Sequence, residues 1–237
     1  MVNNPYCKVD AFGFPAFTGW DTLRYKLLPN SLLFLTGDYY LWAYKAAYLK
    51  YNNKAIVNAA REENIPVLLL AGVAIAEAGG APDRFKSAVV LPFRQLIIDT
   101  FRQDNSASNA TSVGLIAMQL RVAAEIIGLD PATLTLPQQH QLATCLMSNE
   151  FNIRVVAKHL KELVIFDNPG IKDTVHLTDE QIIIAASRYN RGIQRSHADF
   201  IASLHVEKGN SSREYTSYGR RIIEKRNSIM KIMGASQ

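Results

Sequence analysis

The run from Ile65 to Ala76, I-P-V-L-L-L-A-G-V-A-I-A, carries no charge and is followed at once by Glu77, Ala78 and the helix-stopping pair Gly79-Gly80. With Pro66 near its start, where a missing N–H costs little, it reads as a fully buried helix. It is too short for a membrane span, which needs about 20 apolar residues. A helix buried all round has to be enclosed by the rest of the chain. The 237 residues, 48% of them hydrophobic, suffice for one large domain or a catalytic domain with an extension, and one globular unit is the expectation. Charged residues make up 20% and mean hydropathy is -0.02, which suits neither a disordered chain nor a membrane protein.

A carboxylate in the last turn of such a helix is removed from water and meets the negative end of the helix dipole. Both effects favour its neutral form. Glu77 is therefore a candidate proton donor near neutral pH, the alternative being a solvated Glu at a helix stop. The net charge of +5 suits an anionic partner, such as nucleic acid, a bacterial wall or a lipid surface, without choosing among them. No nucleic-acid recognition motif appears and the basic residues are spread out except in the tail, so nucleic acid is not an expected partner. Met1 to Phe17 is broken by Pro5, Gly13 and Pro15, so no signal peptide is expected. Cys7 and Cys145 lack metal-ligand spacing; two free thiols are expected, with a single disulfide as the alternative. His140, His159, His176, His197 and His205 are scattered as well, so no metal site and no cofactor are expected.

Along the chain, the first 30 residues are aromatic and turn-rich without a sustained period, which reads as a packed, irregular arm. Tyr40, Tyr44, Tyr48 and Tyr51 then recur at helical spacing, a stripe expected to lie in the core, with a sugar cleft as the alternative. Asn53 to Glu63 reads as a helix broken from the next at Asn64. Ser87 to Phe101 fits either a loop crossed by a short strand or a helix after Pro92. Asp99 to Thr111, D-T-F-R-Q-D-N-S-A-S-N-A-T, has the composition of a surface loop. Helices follow before Gly128, over Thr133 to Asn149, through the amphipathic stretch containing Ile153, Val156, Ala157, Leu160 and Leu163, and from the Thr178 cap to Tyr189. The tail from Ser211 to Lys231 is expected to end in a helix with a solvated basic face.

Four pieces stand in order: the apolar helix ending in Glu77; the S-x-G turn with a downstream Gln at Ser112, Gly114 and Gln119; the helix opening with Asn152-Ile153; and A-A-S-R-Y-N-R-G, with Tyr189 and Asn190. This order resembles the lysozyme-like catalytic domain of soluble lytic transglycosylases and goose-type lysozymes, over roughly Lys54 to Gln194. The resemblance implies an all-α fold with residues 1–52 as an aromatic-rich N-terminal extension, 53–205 as the catalytic domain and 206–237 as a basic helical tail. It also implies cleavage of the β-1,4 bond between N-acetylmuramic acid and N-acetylglucosamine in peptidoglycan.

By that resemblance Glu77 is the acid, Tyr189 assists it, and Ser112, Gly114, Met118, Gln119, Asn152 and Asn190 bind substrate or shape the cleft. A hydrolase that inverts also needs a second carboxylate to hold water, for which Asp104, then Asp99, are the candidates. A lytic transglycosylase works with the single Glu and yields a 1,6-anhydro product; both outcomes stay open. The chain departs from the family pattern at Ala78, where Ser is usual, in G-L-I-A-M-Q, two residues longer than G-L-M-Q, and at Ser187-Arg188 before Tyr189. Peptidoglycan is the expected partner, met in the periplasm or wall without stable membrane insertion. An exported antibacterial role would add a cognate immunity protein. The competing reading is a catalytically inactive, lysozyme-like wall-binding or structural module.

Overall fold

A computed structural model describes residues 3–8, 13–27, 38–79 and 86–234. Gly80 of the expected helix stop lies outside them. The fold is all-α, with 70% helix and 3% strand, and no described helix is long and apolar enough to cross a membrane. The chain forms two compact units interleaved in sequence, Met1–Asn52 with Glu77–Val156 and Asn53–Ala76 with Ala157–Gln237. The three consecutive segments expected from the sequence are thus regrouped. The N-terminal arm belongs to the first unit, and the basic tail is part of the second.

In the first unit, a two-stranded ribbon, β1 (Asn3–Asn4) and β2 (Cys7–Lys8), precedes α1 (Gly19–Leu27) and α2 (Asp38–Tyr51). The tyrosine stripe of α2 packs against the arm. Phe14 meets Tyr44, Tyr48 and Tyr51 with ring centroids 5.2, 5.7 and 5.4 Å apart, and the Tyr44 hydroxyl donates to the Pro15 carbonyl at 2.5 Å. Of the stripe only Tyr48 lies in the core; Tyr40 and Tyr44 are half-buried and Tyr51 is exposed. The expectation of free thiols is corrected, because Cys7 and Cys145 form a disulfide across a sequence separation of 138. Sequence distance hid this pairing; the fold brings the ribbon beside α8 (Leu136–Leu146), where Asn4 also donates to the Gln141 carbonyl at 2.8 Å. Cross-linking so long a loop restricts the unfolded chain. Reduction, or Cys7→Ser, is expected to cost about 2–4 kcal/mol, read as a lower urea midpoint in the presence of reductant.

The ambiguous stretch after the helix stop is a helix, α5 (86–102), wound in wide i→i+5 turns over Lys86–Val90 and Arg94–Asp99. It buries Leu91, Gln95 and Asp99 and leaves Val89, Phe93, Leu96, Ile97 and Phe101 exposed. The polar segment that follows is exposed over residues 100–104, as expected of a surface loop, but its two ends are not. Asp99, Ser108, Asn109 and Thr111 are all buried, and α6 (Ser106–Asn109) forms within it. Its polar side chains satisfy one another and nearby carbonyls. Gln139 donates to Ser108 and Asn109, both at 2.7 Å, Gln95 donates to Gln139 at 2.7 Å, and Asn105 reaches the carbonyls of Pro131, Ala132 and Leu134. Composition signals a loop here because Ser, Asn and Asp suit turns. The same groups suit a satisfied internal network.

The unit continues through a short hairpin, β3 (Ser112–Val113) and β4 (Met118–Gln119), then α7 (Leu120–Ile126) and α8. The Thr135 capping box with Gln138 starts α8.

The second unit holds α3 (Asn53–Glu62) and α4 (Val67–Glu77) up to Ala76, with a break at Asn64, whose φ is 52°. Every residue from Leu68 to Ile75 is buried, as the uncharged run requires; full burial of a Leu or Ile contributes roughly 1.5–3 kcal/mol. The long helix α9 (Asn149–Asp167) passes from the first unit into the second. It is followed by α10 (Asp179–Arg191), α11 (His197–His205), α12 (Ser217–Glu224) and α13 (Arg226–Met233).

The tail helices are structural here. Ile222, Ile229 and Met233 are buried. A Cβ on Gly219 of α12 would sit 2.1 Å from the Ile183 carbonyl oxygen of α10, and Gly219 N–H donates to Ser187 at 3.1 Å. Since backbone has to move to admit a methyl group, Gly219→Ala is expected to destabilise by about 1–3 kcal/mol in thermal unfolding. Several basic side chains of the tail are turned to the unit's own acceptors. Arg220 donates to the Ser203 and Leu204 carbonyls at 3.0 and 2.6 Å, Arg213 donates to the Val206 carbonyl, and Arg226 pairs with Asp179.

Candidate functional site

The hairpin Ser112–Gln119 is the best-defined part of the expected site. Its strands pair Ser112 with Gln119 and Val113 with Met118. The four residues between them, Gly114 to Ala117, form the turn. Asn152, fully buried on α9, grips this turn at both ends of its amide: Ile116 N–H donates to Oδ1 and Nδ2 donates to the Ile116 carbonyl, each at 3.0 Å. Ile116, inside the turn, thus supplies the backbone that Asn152 holds. Gly114 has φ 93°, and a Cβ there would lie 2.5 Å from Asn152 Nδ2 and 2.7 Å from the Leu146 carbonyl. Only glycine lets the turn approach α9 so closely.

Five expected substrate residues therefore meet in one place, with different roles. Asn152, Gly114 and Met118 are buried and hold the hairpin. Ser112 and Gln119 are half-buried, Gln119 accepting from Arg121 Nε at 2.8 Å. Glu77 closes α4 half-buried, between the exposed Ala76 and the fully buried Ala78.

The two candidate second carboxylates are both tied to local backbone. Asp99 is buried and accepts from the N–H groups of Ala107 at 2.9 Å and Ser108 at 3.1 Å, so it caps α6. Asp104 is exposed and accepts from Ser106 N–H at 2.9 Å and Ser106 Oγ at 2.8 Å through the same oxygen. Those two hydrogen bonds hold the Asp104 carboxyl below the usual carboxylate range, so it is ionised at neutral pH.

Tyr189 and Asn190 belong to the second unit, near the end of α10. Tyr189 is half-buried, its ring centroid 5.8 Å from that of His159 on α9. Burial pushes the His159 imidazole down to about 4, so it is uncharged at neutral pH. The unfolded chain takes up this proton near pH 6.5 and the folded chain does not until about 4. The stability contribution is therefore complete above pH 6.5 and is lost as pH falls from 6.5 to 4. Up to about 3 kcal/mol is at stake, and denaturant midpoints of wild type and His159→Phe across this window should diverge by that order.

Sequence reasoning missed the group beneath Tyr189. Arg188 is fully buried and makes a bidentate pair with Asp167, Nε to Oδ2 at 2.8 Å and Nη2 to Oδ1 at 2.7 Å. Its guanidinium lies 4.4 Å from the Phe200 ring centre and 5.1 Å from that of Phe166. His197 Nδ1 shares Asp167 Oδ1 at 2.9 Å. The only signal in the sequence was Arg188 standing where the family pattern has a small residue; its partner lies 21 residues away on another helix. Among the described residues no cluster of His, Cys, Asp and Glu could hold a metal ion.

No protein-family model matches the chain, and no curated protein and no solved structure is significantly similar to it.

Proposed function

We propose that the chain is a muramidase that cleaves peptidoglycan glycan strands at the bond between N-acetylmuramic acid and N-acetylglucosamine. The observation that carries this reading is Glu77, a half-buried carboxyl group on the last turn of a helix buried from Leu68 to Ile75. Glycosidic cleavage needs an acid that keeps its proton at working pH and delivers it to the leaving oxygen. The hairpin pinned by Asn152 supports the reading, because a rigid polar edge is what a glycan chain needs for orientation. The Cys7–Cys145 disulfide supports action in an oxidising compartment such as the periplasm or the outer face of a wall. Delivery as an antibacterial effector, with an immunity protein in the producing cell, is the biological form this reading takes.

In this mechanism Glu77 donates its proton to the glycosidic oxygen as the C–O bond breaks. In a lytic transglycosylase it then takes the proton of the attacking hydroxyl, whereas in an inverting hydrolase a second carboxylate takes the proton of the attacking water. In a lytic transglycosylase the attacker is the sugar's own C6 hydroxyl. In a hydrolase it is water, and Asp104, ionised and exposed, is better suited than Asp99 to hold it, since both Asp99 oxygens are engaged by α6.

Digestion of purified sacculi with mass spectrometry of the released fragments tests the proposal. Reducing-end muropeptides identify hydrolysis, and anhydro ends identify transglycosylation. Sacculi that bind the protein and release nothing soluble would leave a wall-binding module in its place.

A further inference from the structure

The connection between α10 and α11 frames an open pocket of about 740 Å³ lined by Asn190, Arg191, Gln194, Arg195, Ser196 and Asp199. Its two arginines make no ion pair among the described residues, yet each is held in position. Arg191 Nη2 donates to the Glu214 carbonyl at 2.5 Å. The Arg195 guanidinium stacks 3.6 Å from the centre of the Tyr215 ring, a contact that leaves its in-plane N–H groups available.

The backbone of this connection is anchored from below. The buried Arg188 donates Nη1 to the Arg195 carbonyl at 2.5 Å, and His197 joins the same Asp167 that Arg188 grips. Burying an ion pair carries a large desolvation cost and is weak evidence for stability. Its geometric consequence here is a fixed 192–196 connection, and with it a fixed Arg195.

Two positioned cations, polar groups from Asn190, Gln194 and Ser196, and one carboxylate, Asp199, surround the space. A ligand that carries only phosphates would match the arginines and be repelled by Asp199. A ligand with carboxylates and an ammonium matches all three charges. Peptidoglycan supplies one, because its stem peptides hold free carboxylates and a diamino acid. We infer that this pocket binds the charged end of a peptidoglycan stem peptide; the inference rests on the proposed action on the wall, and Asn190, a substrate residue by the family resemblance, is part of its lining.

The test compares wild type, Arg195→Gln, Arg195→Lys and Asp199→Asn on intact sacculi and on sacculi stripped of stem peptides by an amidase. Co-sedimentation reads binding and soluble fragments read cleavage. Wild type should bind intact sacculi about tenfold more tightly than stripped ones, as a charge-assisted bidentate contact allows. Arg195→Gln should lose this preference while matching wild type on stripped sacculi, and Arg195→Lys should restore only part of it. A free diamino-acid tripeptide should compete where inorganic phosphate does not.

Equal wild-type binding to both substrates overturns the inference, as does a loss in Arg195→Gln that is the same on both. Competition by phosphate alone also overturns it, in favour of a phosphate site. Cleavage of stripped strands without peptide preference removes the pocket's role and leaves the muramidase reading intact. Peptide preference without cleavage of either substrate does the reverse.

Discussion

Glu77→Gln is expected to lower glycan-strand cleavage by about 10²–10⁴-fold, the range that general acid–base groups supply. The amide keeps the size of the carboxyl group and loses the proton it delivers. The unfolding midpoint should stay close to that of wild type, which separates lost chemistry from lost structure. Asp104→Asn sharpens the result. An equally large loss with reducing-end products places a water-holding carboxylate at Asp104, whereas unchanged cleavage with anhydro products means that Glu77 works alone. Retention by Glu77→Gln of more than about a tenth of wild-type cleavage would remove Glu77 from the acid role, since it falls below the smallest effect expected of such a group.

The second large effect concerns the fold beneath Tyr189. Arg188→Ala is expected to destabilise the protein by about 3–5 kcal/mol, because it leaves the Asp167 carboxylate, only 2% exposed, without its bidentate partner. It also removes the donor to the Arg195 carbonyl, so the 192–196 connection should loosen, read as faster amide exchange there. The apolar double variant Asp167→Leu/Arg188→Met discriminates the cause. If an unpaired buried charge dominates, the double variant is more stable than Arg188→Ala despite carrying more substitutions. If lost packing against Phe166 and Phe200 dominates, the two variants unfold together.

Elements with strong local signals were legible without any structure. The uncharged run before Glu77 called for burial, and α4 is buried from Leu68 to Ile75, with Val67 half-buried and Ala76 exposed. The Thr178 cap, the Asn64 break and the amphipathic period of α9 depend on neighbours within a few residues, and each falls where sequence patterning puts it. The hairpin was legible only in part. Gly114 signalled a close backbone approach, but the partner that demands it, Asn152, lies 36 residues from the turn carbonyl it holds.

Features that depend on distant partners escaped sequence reasoning for one physical reason: composition reports what a side chain prefers and leaves open which groups will meet that preference. The segment from Asp99 to Thr111 had the composition of a solvated loop; residues 100–104 are exposed, but Asp99, Ser108, Asn109 and Thr111 are buried, where groups such as Gln139 satisfy the network. Cys7 and Cys145 carried no mark of their pairing. The tail's basic residues promised a solvated face; Arg221, Lys225 and Lys231 are exposed, whereas Arg213, Arg220 and Arg226 are drawn to carbonyls and to Asp179. By itself the sequence determined an all-α chain built around a buried helix that ends in a carboxylate, since hydrophobic periodicity and capping act locally. Tertiary structure alone decided the disulfide, the Asp167–Arg188 pair, the grip of Asn152 on its hairpin and the interleaving of two units, since each depends on contacts that only the folded chain creates.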